Sequence, residues 1–575
     1  MSLDPGTATS AGPPDPIAPR GAGDRPGAAA QRSSLGALAR GGALNLVGAA
    51  VSALTSVALT VVVTRALVKD DAGAFFALTS LFLLGETVAR LGTGTGLVWS
   101  LSRMRALGQR DRITAVLRVA LLPVVGLSVL VASVLAVGAP DFARLVGGAT
   151  TGAAAAVVVL AVLLPVTTLS DSLLAATRGF ASMLPTVVVD RIGRPLLQLA
   201  LVAIAVRVDS AALLVAAWAA PWAVSAAVGW WWLSVLRRRG VPSGPAAPAD
   251  RETWRTFWSF TAPRALASVA QLALQRLDIV LISVLIGPAA AAVYTAATRF
   301  LVVGQMANQA ISTAVQPRLG ELLAVDDRPA TNALFRTATT WLVLLTWPLY
   351  LLCATFGVQV LRLFGRGYDA GAPVILVLAG AMLVATGCGM VDMVLNMAGR
   401  TSWNLANAFL ALAVNIAVDL VLIPRIGIMG AAIGWAAAIV VNNVLPLAQL
   451  TVHLQLHPFD RGTRIAMVLS AVCFGVLPLI AYLSSGGRPL VVAGAVALGA
   501  VLWLVGCLHW RDALSLAALR SLGRGRRPGS GRHAGRPTTP GQLPDHPART
   551  TPAAPLPHAD RCPTGSADHP TRRNR

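Results

Sequence analysis

Five polar side chains fall in register on an otherwise apolar stretch: Arg264, Ser268, Gln271, Gln275 and Asp278 recur at spacings of 4, 3, 4 and 3. On a helix of about 3.6 residues per turn they share one stripe. A second stripe follows at Thr298, Gln305, Gln309, Ser312 and Gln316, with Arg299 beside it, and an earlier one runs through Thr79, Glu86, Arg90 and Thr93. Arginine offers a fixed charge and a planar donor fork that match phosphate oxygens, whereas glutamine, serine and threonine suit sugar hydroxyls. Arg90, Arg264, Gln271, Gln275, Arg276, Arg299, Gln305 and Gln309 are therefore the candidate binding residues, for a polar, anionic, phosphate-bearing ligand. Glu86 and Asp278 are the candidates for exchanging a coupling ion or proton. These groups imply no bond-making chemistry and no catalytic cluster.

The elements that must position them are membrane helices. Only 13% of the 575 residues are charged and 55% are hydrophobic, so lipid replaces water as the main solvent. Apolar spans of about 20 residues read at 43–64, 73–98, 114–138, 152–176, 184–206 and 210–235, then at 263–287, 289–315, 336–358, 371–397, 402–424 and 428–451, and finally at 464–485 and 489–509. The expectation is an all-α polytopic protein of about 14 transmembrane helices. Two six-helix lobes occupy residues 39–236 and 254–455, joined by a cytoplasmic linker at 237–253 and followed by two additional helices at 456–510. The Gly-, Pro- and Ala-rich segment 1–38 and the basic segment 511–575 read as disordered cytoplasmic tails.

The lobes look like one unit written twice. Arg144, Leu145 and Gly147 map onto Arg362, Leu363 and Gly365 at an offset of 218. The same offset carries Phe76 onto Tyr294, and one residue less carries Trp218 onto Trp435. Repeats of several spans are how many carriers build a site between two bodies that rock against each other.

An ionisable group at mid-bilayer costs about 2.5–3.5 kcal/mol on insertion scales, so each needs a partner or a purpose. Glu86 and Arg90, four apart, suit a structural ion pair as well as they suit a ligand or ion site. Asp190 and Arg194 share that spacing nearer the interface, where a structural pair is favoured. Asp278 suits either a pair with Arg299 or proton uptake. Arg276 points away from the first stripe and its role stays open. Asp171 and Asp392 fall toward cytoplasmic helix ends, where an interfacial role is favoured.

The net charge of +22 does not indicate nucleic acid, because the arginines alternate with the connections. Arg103, Arg105, Arg110, Arg112, Arg178 and Arg237–Arg239 share one side, which makes both termini cytoplasmic by the positive-inside rule. Cys353, Cys388, Cys473 and Cys507 lie in expected helices and Cys562 in the tail, without metal or disulfide spacing; no cofactor is expected.

Several segments carry a family resemblance. They are TRALVKDDAGAFFALTSLFLL from Thr64, WSFTAPRALASVAQLALQRLDIVLISVLIGPAAAAVYTAATRFL from Trp258, VLRLFGRGYDAGAPVILVLAG from Val360, NMAGRTSWN from Asn396 and AVNIAVDLVLIPRIGIMGAAIGWAAA from Ala413. Together they resemble polysaccharide flippases of the multidrug/oligosaccharidyl-lipid/polysaccharide exporter superfamily, over roughly residues 40–455. The resemblance implies alternating-access transfer of a polyprenyl-diphosphate-linked oligosaccharide across the plasma membrane, for exopolysaccharide or another surface polymer. Expected partners are the lipid-linked glycan, membrane lipids, and polymerase and glycosyltransferases of the same pathway. Fourteen helices also resemble lipid II flippases, which keeps a peptidoglycan precursor as an alternative cargo, and a multidrug or cation antiporter of the same superfamily is the other alternative.

Overall fold

The computed structural model describes residues 28–147, 152–240 and 250–516, and among these the secondary structure is helical throughout. In the first half the helices are α1 (Ala28–Ala66), α2 (Lys69–Ala89), α3 (Thr93–Ala106), α4 (Ile113–Val137), α5 (Ala139–Gly147), α6 (Ala153–Gly179), α7 (Arg194–Ala205), α8 (Ala211–Ala219) and α9 (Pro221–Gly240). The second half holds α10 (Arg251–Leu285), α11 (Pro288–Ala297), α12 (Arg299–Ala324), α13 (Arg328–Thr355), α14 (Gly357–Arg362), α15 (Ala372–Gly387), α16 (Val391–Met397), α17 (Thr401–Ile426) and α18 (Ile428–Gln449). After these come α19 (Arg461–Ser470), α20 (Leu477–Ser485) and α21 (Pro489–His509).

The chain is an all-α polytopic membrane protein. Twelve helical segments are long and apolar enough to cross a bilayer. The other two expected spans, 184–206 and 289–315, are helical but fall outside that set. The first is divided into a π-helical Thr186–Gly193 and α7; the second is broken at Thr298 and made polar by its arginine and glutamines.

The repeat extends to helix boundaries. Shifted by 218, α4 ends where α13 ends and α5 begins where α14 begins; shifted by 217, α8 begins where α18 begins. In the first half α6 is the hub, packing against α2, α3, α4 and α9. In the second half α17 packs on α18, and α15 packs on α13 and α18. Across the middle, α2 lies along both α10 and α11, and α1 meets α12. That seam needs glycine. A Cβ on Gly73 would stand 1.7 Å from the Pro288 carbonyl oxygen, and one on Gly96 would stand 2.2 Å from Thr261 Oγ1.

Besides the step between α8 and α9 at Ala220, three helical spans are interrupted. Leu91 and Gly92, at φ of 52° and 70°, separate α2 from α3. Thr298 separates α11 from α12, and Cys388–Met390, with Gly389 at φ 79°, separates α15 from α16. Such breaks free backbone groups that lipid cannot satisfy, so they belong where the protein is buried or lines water. Arg90 is the cap closing α2 and Arg299 opens α12, so two of the expected arginines stand at breaks.

The segment boundaries differ from expectation at three places. Helix α1 begins at Ala28, 15 residues before the expected span, in an alanine-rich stretch of high helix propensity. The expected linker is helical at both ends: Arg237–Gly240 finish α9, and Asp250 caps α10 by accepting the Thr253 amide at 2.7 Å. Hydrogen bonds from Thr253 hold the Asp250 carboxyl below its ordinary range. The first residues of the expected C-terminal tail are also packed, since Leu514 is fully buried and its carbonyl accepts Trp341 Nε1 at 3.2 Å. The disordered-tail expectations for 1–27 and 517–575, the middle of the linker at 241–249, and Cys562 lie outside the described residues.

Candidate functional site

Two adjoining cavities, about 360 and 310 Å³, lie between the halves and share Ser52, Ser56, Arg276 and Arg299 in their walls. Ser56, Arg194 and Arg276 lie 9–11 residues before the C-terminal ends of α1, α7 and α10, and Arg299 lies 11 residues after the start of α11. At 1.5 Å per residue that is roughly 15 Å, half of a hydrocarbon core of about 30 Å. By that count the chamber lies about midway along the membrane-spanning helices.

The larger cavity belongs mainly to the second half. Gln275, Arg276, Asp278, Tyr294, Arg299, Gln305, Gln309 and Trp435 line it, with Arg191 and α1 residues from the first half. Of the expected binding residues, it therefore gathers Gln275, Arg276, Arg299, Gln305 and Gln309, together with Asp278. Arg299 donates Nε to its own Thr295 carbonyl at 3.0 Å. Among the described residues no carboxylate lies within ion-pair distance of Arg191, Arg276 or Arg299. The Asp278–Arg299 pair held open from the sequence does not form. Asp278 instead accepts the Tyr294 hydroxyl at 2.7 Å.

Behind that wall stands a group that the sequence stripes did not reveal. Asp419 on α17 faces Asp278 and accepts Asn415 Nδ2 at 3.1 Å. Asp278 Oδ1, Asn415 Oδ1 and Asp419 Oδ1 are all buried and lack a donor among the described residues. Two carboxylates with spare oxygens can hold a proton or a small cation between them. Gly434 makes the space, since a Cβ there would lie 2.0 Å from Asp419 Oδ1. The signal available was the four-residue spacing of Asn415 and Asp419 on one helix face, within the otherwise apolar run 408–424.

The smaller cavity belongs mainly to the first half, with Thr60, Phe76, Thr79, Asp171, Arg194, Gln198, Trp218 and Trp222 among its lining. The charges that the first half contributes to it are paired. Arg90 reaches Asp171 at 2.9 Å and Glu86 at 3.6 Å, while Arg194 donates Nε to Asp190 at 3.1 Å and lies 4.5 Å from the centre of the Trp222 ring. Arg90 and Glu86 thus stand one layer behind the wall. Two sequence readings change here. Asp171 is not merely interfacial but lines the chamber, because the α2/α3 break presents Arg90 to it. Arg194 forms the expected pair with Asp190 yet also faces the cavity.

Arg264 and Gln271 lie outside both linings. The guanidinium of Arg264 covers Phe260, 3.7 Å from the ring centre, and Phe260 stacks on Trp99 of α3 at 4.0 Å. Arg264 therefore packs over the α3/α10 seam, and its stripe reaches the chamber wall only from Gln275 onward. Asp392 is half-buried on α16, with Oδ1 lacking a partner among the described residues.

Two family models match this chain. One, described as polysaccharide biosynthesis protein, covers residues 38–323; the other, MatE, covers residues 263–421. The chain belongs to the polysaccharide flippase family. That family lies within the multidrug/oligosaccharidyl-lipid/polysaccharide exporter superfamily, and its members here are membrane transporters rather than enzymes. A probable low-salt glycan biosynthesis flippase, Agl15 of Haloferax volcanii, is 18% identical over 231 residues, which are 39% of this chain and 49% of that protein. The match thus spans about half the length of that relative. In fold, the chain is similar to the lipid II flippase MurJ in an inward-closed conformation, with a TM-score of 0.64 at 12% identity, covering 81% of this chain and 98% of that one. An inward-facing multidrug resistance MATE transporter gives a TM-score of 0.56 at 14% identity, covering 70% and 95%.

Proposed function

We propose that this polysaccharide flippase family member moves a polyprenyl-diphosphate-linked oligosaccharide from the inner to the outer leaflet of the plasma membrane, for assembly of an exopolysaccharide or other surface polymer. The observation that carries the reading is the absence, among the described residues, of a carboxylate partner for Arg276 and Arg299 in a central chamber. Cationic side chains at that depth are costly unless an anion completes them. A diphosphate does so with oxygens spaced for guanidinium forks. Gln275, Gln305 and Gln309 extend the polar wall.

The lobes alternate access to the two leaflets. The arginine-rich end faces the cytoplasm with both termini, so the connections at Arg65–Lys69 and Leu363–Gly367 face outward. Asp278 and Asp419 exchange a proton or monovalent cation, which couples the cycle to a gradient. Glu86, already engaged by Arg90 and Thr87, serves the first lobe's ion-pair network rather than coupling. The glycosyltransferases that make the lipid-linked glycan and the polymerase that consumes it are the pathway partners.

The test is transfer of a fluorescent polyprenyl-diphosphate oligosaccharide in proteoliposomes, read by quenching of the outer leaflet. The intact protein is expected to equilibrate the label faster than empty vesicles. Equal rates would contradict the assignment.

A further inference from the structure

Internal duplication gives each half one cavity, and equivalent positions have taken different chemistry. At the 218-residue offset Thr60 and Phe76 occupy the places of Asp278 and Tyr294; at 217, Gln198 and Val202 occupy those of Asn415 and Asp419. The proton- or cation-holding group of the second half is thus replaced, in the first, by a hydroxyl, an amide and apolar side chains. The charges that remain on the first-half wall are spent within that half: Asp171 on Arg90, and Arg194 on Asp190. Arg276 and Arg299 stand at the junction with no such partner among the described residues.

From this we infer that the chamber is partitioned, the junction arginines holding the diphosphate and the first-half cavity holding the uncharged sugar residues next to it. The inference rests on the flippase reading and specifies its substrate's orientation. A neutral polyhydroxyl ligand fits the first-half face of this wall, where Asp171 and Arg194 are each paired and the two unpartnered arginines stand only at its edge. The hydroxyls of Thr60 and Thr79 donate to their own helix at Ser56 and Phe75, which leaves their lone pairs as acceptors for sugar O–H groups. Gln198 donates one amide hydrogen to the Trp218 carbonyl at 2.8 Å and keeps a second. Phe76, Trp218 and Trp222 supply apolar surface for the C–H faces of a pyranose ring. At about 310 Å³ the cavity is at the lower end of the range for small-molecule sites, roughly 300–1,000 Å³.

The test compares binding of two probes to the full chain in nanodiscs: a polyprenyl diphosphate without sugar, and the same lipid carrying N-acetylglucosamine. Thr79→Val, nearly isosteric, combined with Thr60→Val is expected to weaken the glycosylated lipid roughly three- to tenfold and leave the bare diphosphate within twofold. Arg276→Gln with Arg299→Gln is expected to weaken both lipids by similar factors. Equal affinity of the first variant for the glycosylated lipid, or equal loss for both probes, would overturn the partition while leaving transport intact. Failure of either lipid to bind the unaltered protein would instead overturn the flippase reading and the partition with it. Gln198→Met, measured with the same pair of probes, supplies an independent variant should the first accumulate poorly.

Discussion

Ser283 stands in the second half where Arg65 stands in the first, 218 residues earlier, and each reaches across to the short helix region of the opposite half. Ser283 Oγ donates to the Val146 carbonyl at 2.6 Å, and Arg65 Nε donates to the Leu363 carbonyl at 2.8 Å. The acceptors lie in the repeated Arg-Leu-x-Gly segments, so the duplication has produced a reciprocal pair of latches. Lys69 adds a third contact, donating to Gly367 O at 2.9 Å. All of these sit at the end of the bundle opposite the arginine-rich connections.

Breaking the latches should release that end. A charge-assisted bond and a neutral one are together worth about 2–4 kcal/mol. Arg65→Ala with Ser283→Ala is therefore expected to raise the population open at that end by at least about tenfold. Spin labels at the exposed positions Asp209 and Arg366 give the readout. An unchanged distance distribution would show that the seam of α2 with α10 and α11 closes this end without them.

Gly434→Ala is expected to disable the carboxylate pair without touching the chamber wall. The added methyl would lie 2.0 Å from Asp419 Oδ1 and must push Asp419 away from Asp278. Ion dependence of transfer should be lost in Gly434→Ala and in Asp278→Asn alike, while lipid binding persists. Retained ion dependence in both variants would place coupling elsewhere.

The Glu86–Arg90–Asp171 network predicts a stability pattern. Arg90→Met strands two carboxylates, and loss of one partner of a buried pair costs about 3–5 kcal/mol, toward the low end here because Arg90 and Asp171 keep about a quarter of their side-chain exposure. Adding Glu86→Gln and Asp171→Asn should recover most of the loss. Thermal unfolding in detergent separates the cases; a triple variant as unstable as Arg90→Met alone would point to packing instead.

The features legible in the sequence are those that lipid enforces. Apolar length and periodicity exposed the helices, the repeat, and the wet faces holding Gln275, Arg299, Gln305 and Gln309, since a polar stripe in a bilayer has few places to go. Two kinds of feature were hidden. The helix break at Leu91–Gly92 ends α2 at Arg90, which reaches Asp171 of α6, while Arg264, on the same face of the continuous α10 as Gln275, lies three turns away and folds over Phe260. Partners on distant helices, such as Asp419 beside Asp278, depend on how helices pack, which no single helical period contains. Arg276 was unresolved for a related reason: its long side chain reaches round α10 to the junction of both cavities.

The most direct measurement is the outward transfer rate of the labelled lipid-linked glycan by Arg276→Gln/Arg299→Gln, at matched abundance in proteoliposomes, beside the unaltered protein and Arg264→Gln. The double variant is expected to fall at least about tenfold, the loss of two charge-assisted phosphate contacts, while Arg264→Gln retains transfer. A double variant that flips at the unaltered rate would contradict a diphosphate held by the junction arginines.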